Sequence, residues 1–91
     1  MNIIEASRAG DLERVKAMIN EGRDINATYY DISALMIASY GGHFDIVKLL
    51  VEAGCDVNYK DRCLCNSALK LSMKNGHTEI AKYLKKHGAI K

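Results

Sequence analysis

Three cysteines and three histidines are the side chains of this 91-residue chain best suited to metal binding or nucleophilic chemistry. Cys63 and Cys65 form a single Cys-x-Cys pair, and Cys55 lies alone upstream of it. A structural zinc site needs four cysteine or histidine ligands at matched spacings, and the chain has no second pair. We therefore predict no metal and no cofactor. Free thiols that are buried or lie in turns are the expectation, and a redox-sensitive Cys63/Cys65 pair or an adventitious metal is the alternative.

The histidines lack the neighbours that catalysis requires. His43 and His77 each follow a glycine. His87 follows two lysines, where a cation would complement the negative end of a helix dipole. An active site needs a nucleophile or base, an orienting group and a pocket that excludes water. Because the sequence contains no Gly-rich phosphate loop, Ser/His/Asp arrangement or paired-carboxylate motif, we predict that the chain is not an enzyme.

The composition, 48% apolar and 26% charged, is typical of one small globular domain, here residues 1–91. No apolar run approaches the ~20 residues that span a bilayer. The first five residues lack the basic and apolar regions of a secretory signal. The odd number of cysteines argues against a disulfide framework. We therefore expect a cytoplasmic protein that is stabilised by packing alone.

The elements that position these side chains repeat along the sequence. Gly10, Gly42 and Gly76 each precede a polar residue and an amphipathic segment. Five more sets of equivalent positions, here called columns, repeat at the same spacing, which is hard to obtain by chance. They are Val15/Val47/Ala81, Met18/Leu50/Leu84, Gly22/Gly54/Gly88, Ile3/Leu35/Leu69 and Ala6/Ala38/Ser72. The chain therefore contains three copies of one unit.

Each unit carries the signals of two short helices. Ser33 and Ser67 stand at the start of apolar segments. This is the place of an N-cap residue, whose side chain accepts a hydrogen bond from a backbone N–H of the first helical turn. Gly41-Gly42 and Asn75-Gly76 close these segments, since Gly and Asn tolerate the left-handed conformation of a helix C-terminus. The next segment has apolar residues at helical spacing from Phe44 to Val51. Helices this short are marginal alone, so they must pack on one another.

The middle unit resembles the ankyrin repeat, through SALMIASYGGH at 33–43, IVKLL at 46–50 and GCDVN at 54–58. The resemblance covers essentially the whole chain. It implies an all-α ankyrin-repeat solenoid of helix-turn-helix units joined by β-turn or hairpin fingers, with units at 1–27, 28–58 and 59–91. The family commonly places a histidine at the position of His43 and His77 to bond neighbouring backbone, which implies a structural role for both.

The chain also departs from the family pattern. Where the family usually has Thr-Pro-Leu-His, residues 33–36 are Ser-Ala-Leu-Met and residues 67–70 are Ser-Ala-Leu-Lys. Serine keeps the capping hydroxyl, but the proline that pre-sets φ and the buried histidine are lost. We expect an array less stable than is usual for the family.

Three columns change character at the ends of the chain. Glu5 and Arg14 stand where the other units have apolar residues, and Lys85 stands where they have Ile19 and Val51. Polar substitutions of this kind are typical of capping repeats. We therefore expect unit 1–27 to cap the N-terminal end and unit 59–91 the C-terminal end of a complete three-repeat protein, with a fragment of a longer array as the alternative.

Ankyrin arrays present a concave surface made of the fingers and the exposed face of the first helix of each unit. Carried onto this chain, that surface holds four of the five tyrosines, and tyrosine is enriched in binding hot spots. The expected partner-binding residues are Arg8, Tyr29, Tyr30, Ile32, Tyr40, Tyr59, Lys60, Arg62, Leu64, Lys70 and Lys74. The resemblance implies a non-catalytic module that binds another protein, and tyrosines that merely fill turns are the alternative.

The charge distribution keeps other partners open. Residues 1–27, 28–58 and 59–91 carry net charges of −1, −3 and +6. The basic third suits an acidic protein, and nucleic acid less well, because the pI of 8.5 is below the ~9 typical of nucleic-acid-binding domains. No membrane partner is expected. Weak homodimerisation is a further alternative if Met36, Met73 and Ile90 are incompletely covered.

One possible modification site follows from the same resemblance. Leu50 and Asn58 resemble the pattern that asparaginyl hydroxylase modifies in ankyrin repeats. The alternative is that Asn58 bonds the backbone of its turn.

Overall fold

The structure is a computed structural model that describes residues 2–61 and 66–89. The predictions for Arg62, Leu64, the Cys63/Cys65 pair and Ile90 lie outside these residues. In chain order the elements are α1 (Ile3–Ala9), α2 (Leu12–Asn20), β1 (Thr28–Tyr29), β2 (Ile32–Ser33), α3 (Ala34–Gly41), α4 (Phe44–Glu52), α5 (Ala68–Lys74) and α6 (Thr78–Lys86). The two strands form an antiparallel hairpin, and a single bridge joins Lys60 to Ser67 at the second junction.

Helices α3 and α5 begin and end where the sequence predicts. The hydroxyl of Ser33 accepts a hydrogen bond from the backbone N–H of Met36 at 3.2 Å, and that of Ser67 accepts one from Lys70 at the same distance. Gly42 ends α3 in the left-handed conformation, with φ of 76°. The predicted N-caps and the glycine stop are therefore confirmed.

The helix pairs stack side by side into a two-layer array. The inner helices α1, α3 and α5 form one layer, and the outer helices α2, α4 and α6 form the other. Small residues such as Ala6 and Ala38 are fully buried, as are Val47, Leu50 and Leu84. Because each short helix buries its apolar side against its neighbours, the array stabilises helices that would not persist alone.

Side-chain bonds also connect successive units. The Oδ1 of Asn26 accepts a hydrogen bond from the backbone N–H of Asp56 at 2.8 Å. The Nδ2 of Asn58, at the equivalent position, donates to the carbonyl of Gly88 at 3.0 Å. The backbone N–H of Asn58 also donates to Oδ1 of Asp56 within its own turn, at 3.0 Å. Asn58 therefore has a structural role, and its side chain bonds the backbone of the following unit, where the sequence had suggested a bond to its own turn.

The histidines at the interhelical turns contact the preceding unit. Nε2 of His77 lies 3.1 Å from the carbonyl oxygen of Tyr40. A Cβ built on Gly42 would lie only 2.8 Å from Cε1 of His77, so the ring packs directly against that glycine. The imidazole of His43 packs against Gly10 in the same way, because a Cβ built on Gly10 would lie 2.9 Å from Cε1 of His43. These contacts confirm a structural role for His77 and give His43 the same kind of environment.

The outward faces of the described stack carry the charged residues noted in the sequence. Glu5 and Arg14 are exposed, whereas Ile46 and Ile80, at the positions equivalent to Arg14, are buried. Lys85 is exposed at the other end. The expectation of an incompletely covered Met36 is wrong, because this side chain is buried between inner helices.

Candidate partner-binding surface

The hairpin between the first two units places two tyrosines at an exposed tip. Thr28 pairs with Ser33 and Tyr29 with Ile32, which leaves Tyr30 and Asp31 as the two turn residues. Both have positive φ, 51° and 67°. Two-residue hairpin turns of this kind favour Asn-Gly, because a left-handed residue other than glycine costs roughly 1–2 kcal/mol. Tyr30 therefore stands in a strained backbone conformation, and this residue is 85% exposed.

A side chain from the next unit holds this tip in place. The hydroxyl of Tyr59 donates to Asp31, whose Oδ1 and carbonyl oxygen both lie within hydrogen-bonding distance. The rings of Tyr29 and Tyr30 pack edge to face, with centroids 4.5 Å apart. The Tyr59–Asp31 hydrogen bonds support the turn, and the ring contact places the two tyrosines side by side at the tip.

The inner helices add a row of exposed residues beside the hairpin. Arg8 of α1, Tyr40 of α3 and Lys74 of α5 occupy equivalent positions of the three units, and all three are exposed. We use the term concave surface for this row together with Tyr29 and Tyr30. A cleft of about 220 Å³ joins the two parts, because Arg8 and Tyr29 line it together with Asn2, Ile4 and Glu5.

The charges of this region are unequally satisfied. Glu5 accepts from the backbone N–H of Asn2 at 3.2 Å in a capping box, and Asp31 binds Tyr59. Asp61 is 6% exposed, and its Oδ1 accepts from the backbone N–H of Asn66 at 3.2 Å. The acidic groups are therefore engaged within the fold.

The neighbouring cations differ. Arg14 pairs with Asp11 and Arg23 with Glu21, but Arg8 forms no ion pair with any residue in 2–61 or 66–89. Lys74 and Lys60 likewise have no carboxylate within ion-pair distance across the same ranges. The concave surface thus presents cations that the described fold does not neutralise.

The remaining expected binding residues lie in different environments. Ile32 and Tyr59 are half-buried and pack against the core, so each supports the hairpin. Lys60 is exposed beside its bridge to Ser67. Lys70 occupies the position of Ile4 and Met36, which are buried between successive inner helices, so the register places Lys70 on the outward end of the stack. Arg62 and Leu64 lie outside the described residues.

Sequence reasoning missed one feature of the region. It assigned no contact to Asp31, although this side chain accepts a hydrogen bond from Tyr59 of the next unit, a contact that only the fold creates. The incompletely covered Met73 considered from the sequence is confirmed, because this residue is 56% exposed.

Cys55 is a half-buried thiol with low reactivity. Its side chain lines a small cavity of about 120 Å³ with Ile25, Leu35 and Tyr59. Burial, and next the negative charge of Asp56, raise the pKa of the thiol to about 12. Such a thiol is a poor nucleophile and a poor metal ligand at neutral pH. Across residues 2–61 and 66–89 no three histidine, cysteine or acidic side chains cluster as a metal site would require.

The helices also bear on the membrane question. None of those in the described part of the chain combines the length and the apolar character needed to cross a bilayer.

Known proteins share the pattern of this chain. A family model described as "Ankyrin repeats (3 copies)" matches residues 3–91. The chain is 37% identical over 87 residues, 96% of its length, to "Ankyrin repeat and KH domain-containing protein mask-1" of Caenorhabditis elegans, of which this covers 3%. It is 33% identical over 90 residues, 97% of its length, to "Ankyrin repeat and SAM domain-containing protein 6" of Mus musculus, covering 10% of that protein. It is 40% identical over 55 residues, 58% of its length, to "Ankyrin repeat domain-containing protein 29" of Danio rerio, covering 18% of that protein.

The chain thus spans less than a fifth of each of these relatives. Ankyrin repeats are generally protein–protein interaction modules, and the helix pairs, the hairpin and the stacked turns described above have this architecture. The chain belongs to the ankyrin repeat family.

Proposed function

We propose that this chain is a non-catalytic module that binds a partner protein through its concave surface. The observation that carries the proposal is the display of Tyr30 at a strained hairpin tip, next to Tyr29 and within the same face as Tyr40. Strained backbone conformations are retained where function requires them. Tyrosine also contributes a large contact area with few rotatable bonds, which suits a binding surface. The cytoplasmic location expected from the sequence is part of this proposal.

Site-specific photo-crosslinking in cells of the source organism tests the proposal. Benzoylphenylalanine replaces Tyr30 or Tyr40 on the concave surface, and Lys82 on the outer helix α6 serves as the control position. We expect one discrete protein adduct from each tyrosine position and none from Lys82. Circular dichroism verifies that each variant is folded.

The same experiment separates the alternative functions. Adducts between two copies of this chain would favour self-association. Adducts that form at Lys82 but at neither tyrosine position would contradict a concave binding surface. They would instead favour binding through the basic C-terminal third, and nuclease treatment would then distinguish nucleic acid from an acidic protein.

A further inference from the structure

We propose that the segment bound by the concave surface is an acidic stretch of the partner protein, with two carboxylates that bracket an apolar side chain. One carboxylate enters the cleft between α1 and the hairpin and bonds Arg8. The other pairs with Lys74, and the apolar side chain contacts the tyrosines between them. This inference rests on the proposed function and specifies the chemistry of its partner.

The first support is the unequal satisfaction of charge on this surface. Glu5 accepts a hydrogen bond from the backbone of Asn2, Asp31 accepts one from the hydroxyl of Tyr59, and Asp61 accepts one from the backbone of Asn66. Within residues 2–61 and 66–89, Arg8 and Lys74 have no carboxylate partner. The two cations therefore lack an ion-pair partner among the described residues and can pair with an approaching acidic group, whereas each of these acids already accepts a hydrogen bond within the fold. Complementary charge of this kind speeds association and selects the partner.

The second support is the shape of the site around Arg8. The cleft of about 220 Å³ is lined by Arg8 and Tyr29, and also by Glu5, whose carboxylate accepts the backbone N–H of Asn2 in the helix cap. A guanidinium presents a planar set of donors that matches a carboxylate in a two-point contact. The cleft opens beside the exposed rings of Tyr29 and Tyr30, so a carboxylate and a neighbouring apolar group can be held together.

The third support is the geometry of the row. Packed helices lie about 8–10 Å apart, so the two steps from α1 through α3 to α5 separate Arg8 from Lys74 by about 20 Å. Tyr40, 54% exposed, lies midway. An extended chain covers this distance in about six residues, at about 3.3 Å each. The partner segment should therefore place its two acidic residues about six positions apart.

A random 16-residue peptide library displayed on phage and selected on the wild-type protein at low salt tests this inference. We expect the selected peptides to share two acidic positions about six residues apart, with an apolar residue between them. Their synthetic forms should bind Arg8→Gln and Lys74→Gln at least tenfold more weakly. The control variant Lys82→Gln, on the outer helix α6, should bind the peptides as tightly as the wild type does. Arg8→Lys should recover part of the loss, because the charge is kept while the two-point contact is lost.

The possible failures are distinguishable. If the selected peptides are neutral or basic and still lose binding to Tyr30→Ser and Tyr40→Ser, the concave surface is a binding site and the acidic inference is overturned. If no peptide is selected, or if binding ignores every concave variant, both the inference and the proposed surface fail. A fluorescent 20-nucleotide single strand is titrated in parallel, and tighter Arg8-dependent binding to it than to any peptide would replace the acidic protein by nucleic acid.

Discussion

At the scale of single residues, burial decides what the reactive groups can do. Cys55 belongs to the most nucleophilic residue type in the sequence, yet its half-buried position keeps the thiol protonated. Ser7 and Ser39 are buried hydroxyls that find no hydrogen-bond partner within residues 2–61 and 66–89. Ser72, by contrast, donates to the carbonyl of Leu69 at 2.7 Å. The residue type alone therefore predicts neither reactivity nor bonding.

Cys55 should resist alkylation in the folded protein. With the pKa of its thiol raised to about 12, the thiolate fraction at pH 8 is far below that of an unfolded chain. We expect iodoacetamide to modify Cys55 about 100-fold more slowly in buffer than in urea. Peptide mass spectrometry measures this, and an equal rate in both conditions would contradict the raised pKa.

The same shift sets the sign of a pH dependence. The folded state keeps the Cys55 proton at pH values where the unfolded thiol, with an ordinary pKa near 9.0, loses it. The stabilisation is therefore complete below about pH 9 and declines as the pH rises toward 12. Compared with Cys55→Ala, the wild type should lose more unfolding free energy between pH 8 and 11, as urea titrations at both pH values would show.

Ser39→Ala should stabilise the protein or leave its stability unchanged. The substitution removes a buried hydroxyl that has no described partner, and this group costs about 1 kcal/mol to desolvate. Ser72→Ala is the matched control, because it deletes a hydrogen bond and should cost about 1 kcal/mol. Urea unfolding of both variants decides the matter, and a Ser39→Ala loss as large as that of Ser72→Ala would contradict the assignment.

At the scale of elements, the first hairpin and the turn that ends α3 each contact a group from the next unit. Tyr59 holds the tip of the first hairpin, and His77 packs against the turn that ends α3. The register of the hairpin leaves Tyr29 and Tyr30 exposed. Because Tyr30 and Asp31 have strained backbone conformations, the turn needs a contact from outside the hairpin to persist. The hairpin is therefore stable only in the stacked array.

Tyr59→Phe should loosen the hairpin without unfolding the array. The substitution keeps the ring and removes the hydroxyl that donates to Asp31. We expect a loss of about 1 kcal/mol and faster amide exchange at residues 29–32. Tyr40→Phe is the control, because its hydroxyl bonds no described residue. Hydrogen-exchange mass spectrometry measures both, and equal exchange in the two variants would refute the brace.

Gly42→Ala should destabilise the protein more than Gly54→Ala does. Both glycines have positive φ, 76° and 93°, so each substitution carries the backbone penalty of roughly 1–2 kcal/mol. Only the Cβ at position 42 meets a side chain, Cε1 of His77 at 2.8 Å, whereas that at 54 meets nothing within 4 Å. Urea unfolding gives the two losses, and the excess at position 42 should shrink in a His77→Ala background.

At the scale of the whole molecule, stability is a sum over neighbouring units. The inner helix α3 packs on both α1 and α5, and α4 likewise lies between α2 and α6. The middle unit therefore supports both others. Substitutions in this unit should affect the entire array, whereas equivalent substitutions in an outer unit should act locally.

Leu50→Ala and Leu84→Ala test this difference with the same residue type. The two leucines occupy equivalent positions and are both fully buried. Each truncation should cost about 2–5 kcal/mol. We expect Leu50→Ala to accelerate amide exchange in all three units, and Leu84→Ala to do so mainly in α5 and α6. Uniform acceleration in both variants would instead indicate a single cooperative block.

The sequence by itself determined the repeat register, the family, the helix caps at Ser33 and Ser67 and the buried columns. These features follow from local spacing and residue type, which each unit repeats. The resemblance to ankyrin repeats, carried onto this register, also predicted the exposed row of Arg8, Tyr40 and Lys74. Their exposure is visible in the sequence because equivalent positions face the same way in every unit.

Only the tertiary structure decided which of these groups are free. Ile32 and Tyr59 share the fingers with Tyr29 and Tyr30, yet they are half-buried in support of the hairpin. Asp31 accepts a hydrogen bond from Tyr59 of the next unit, while Arg8 forms no ion pair within the described residues. The physical reason is that burial and hydrogen bonding depend on contacts between units, and the spacing within one unit does not encode those contacts.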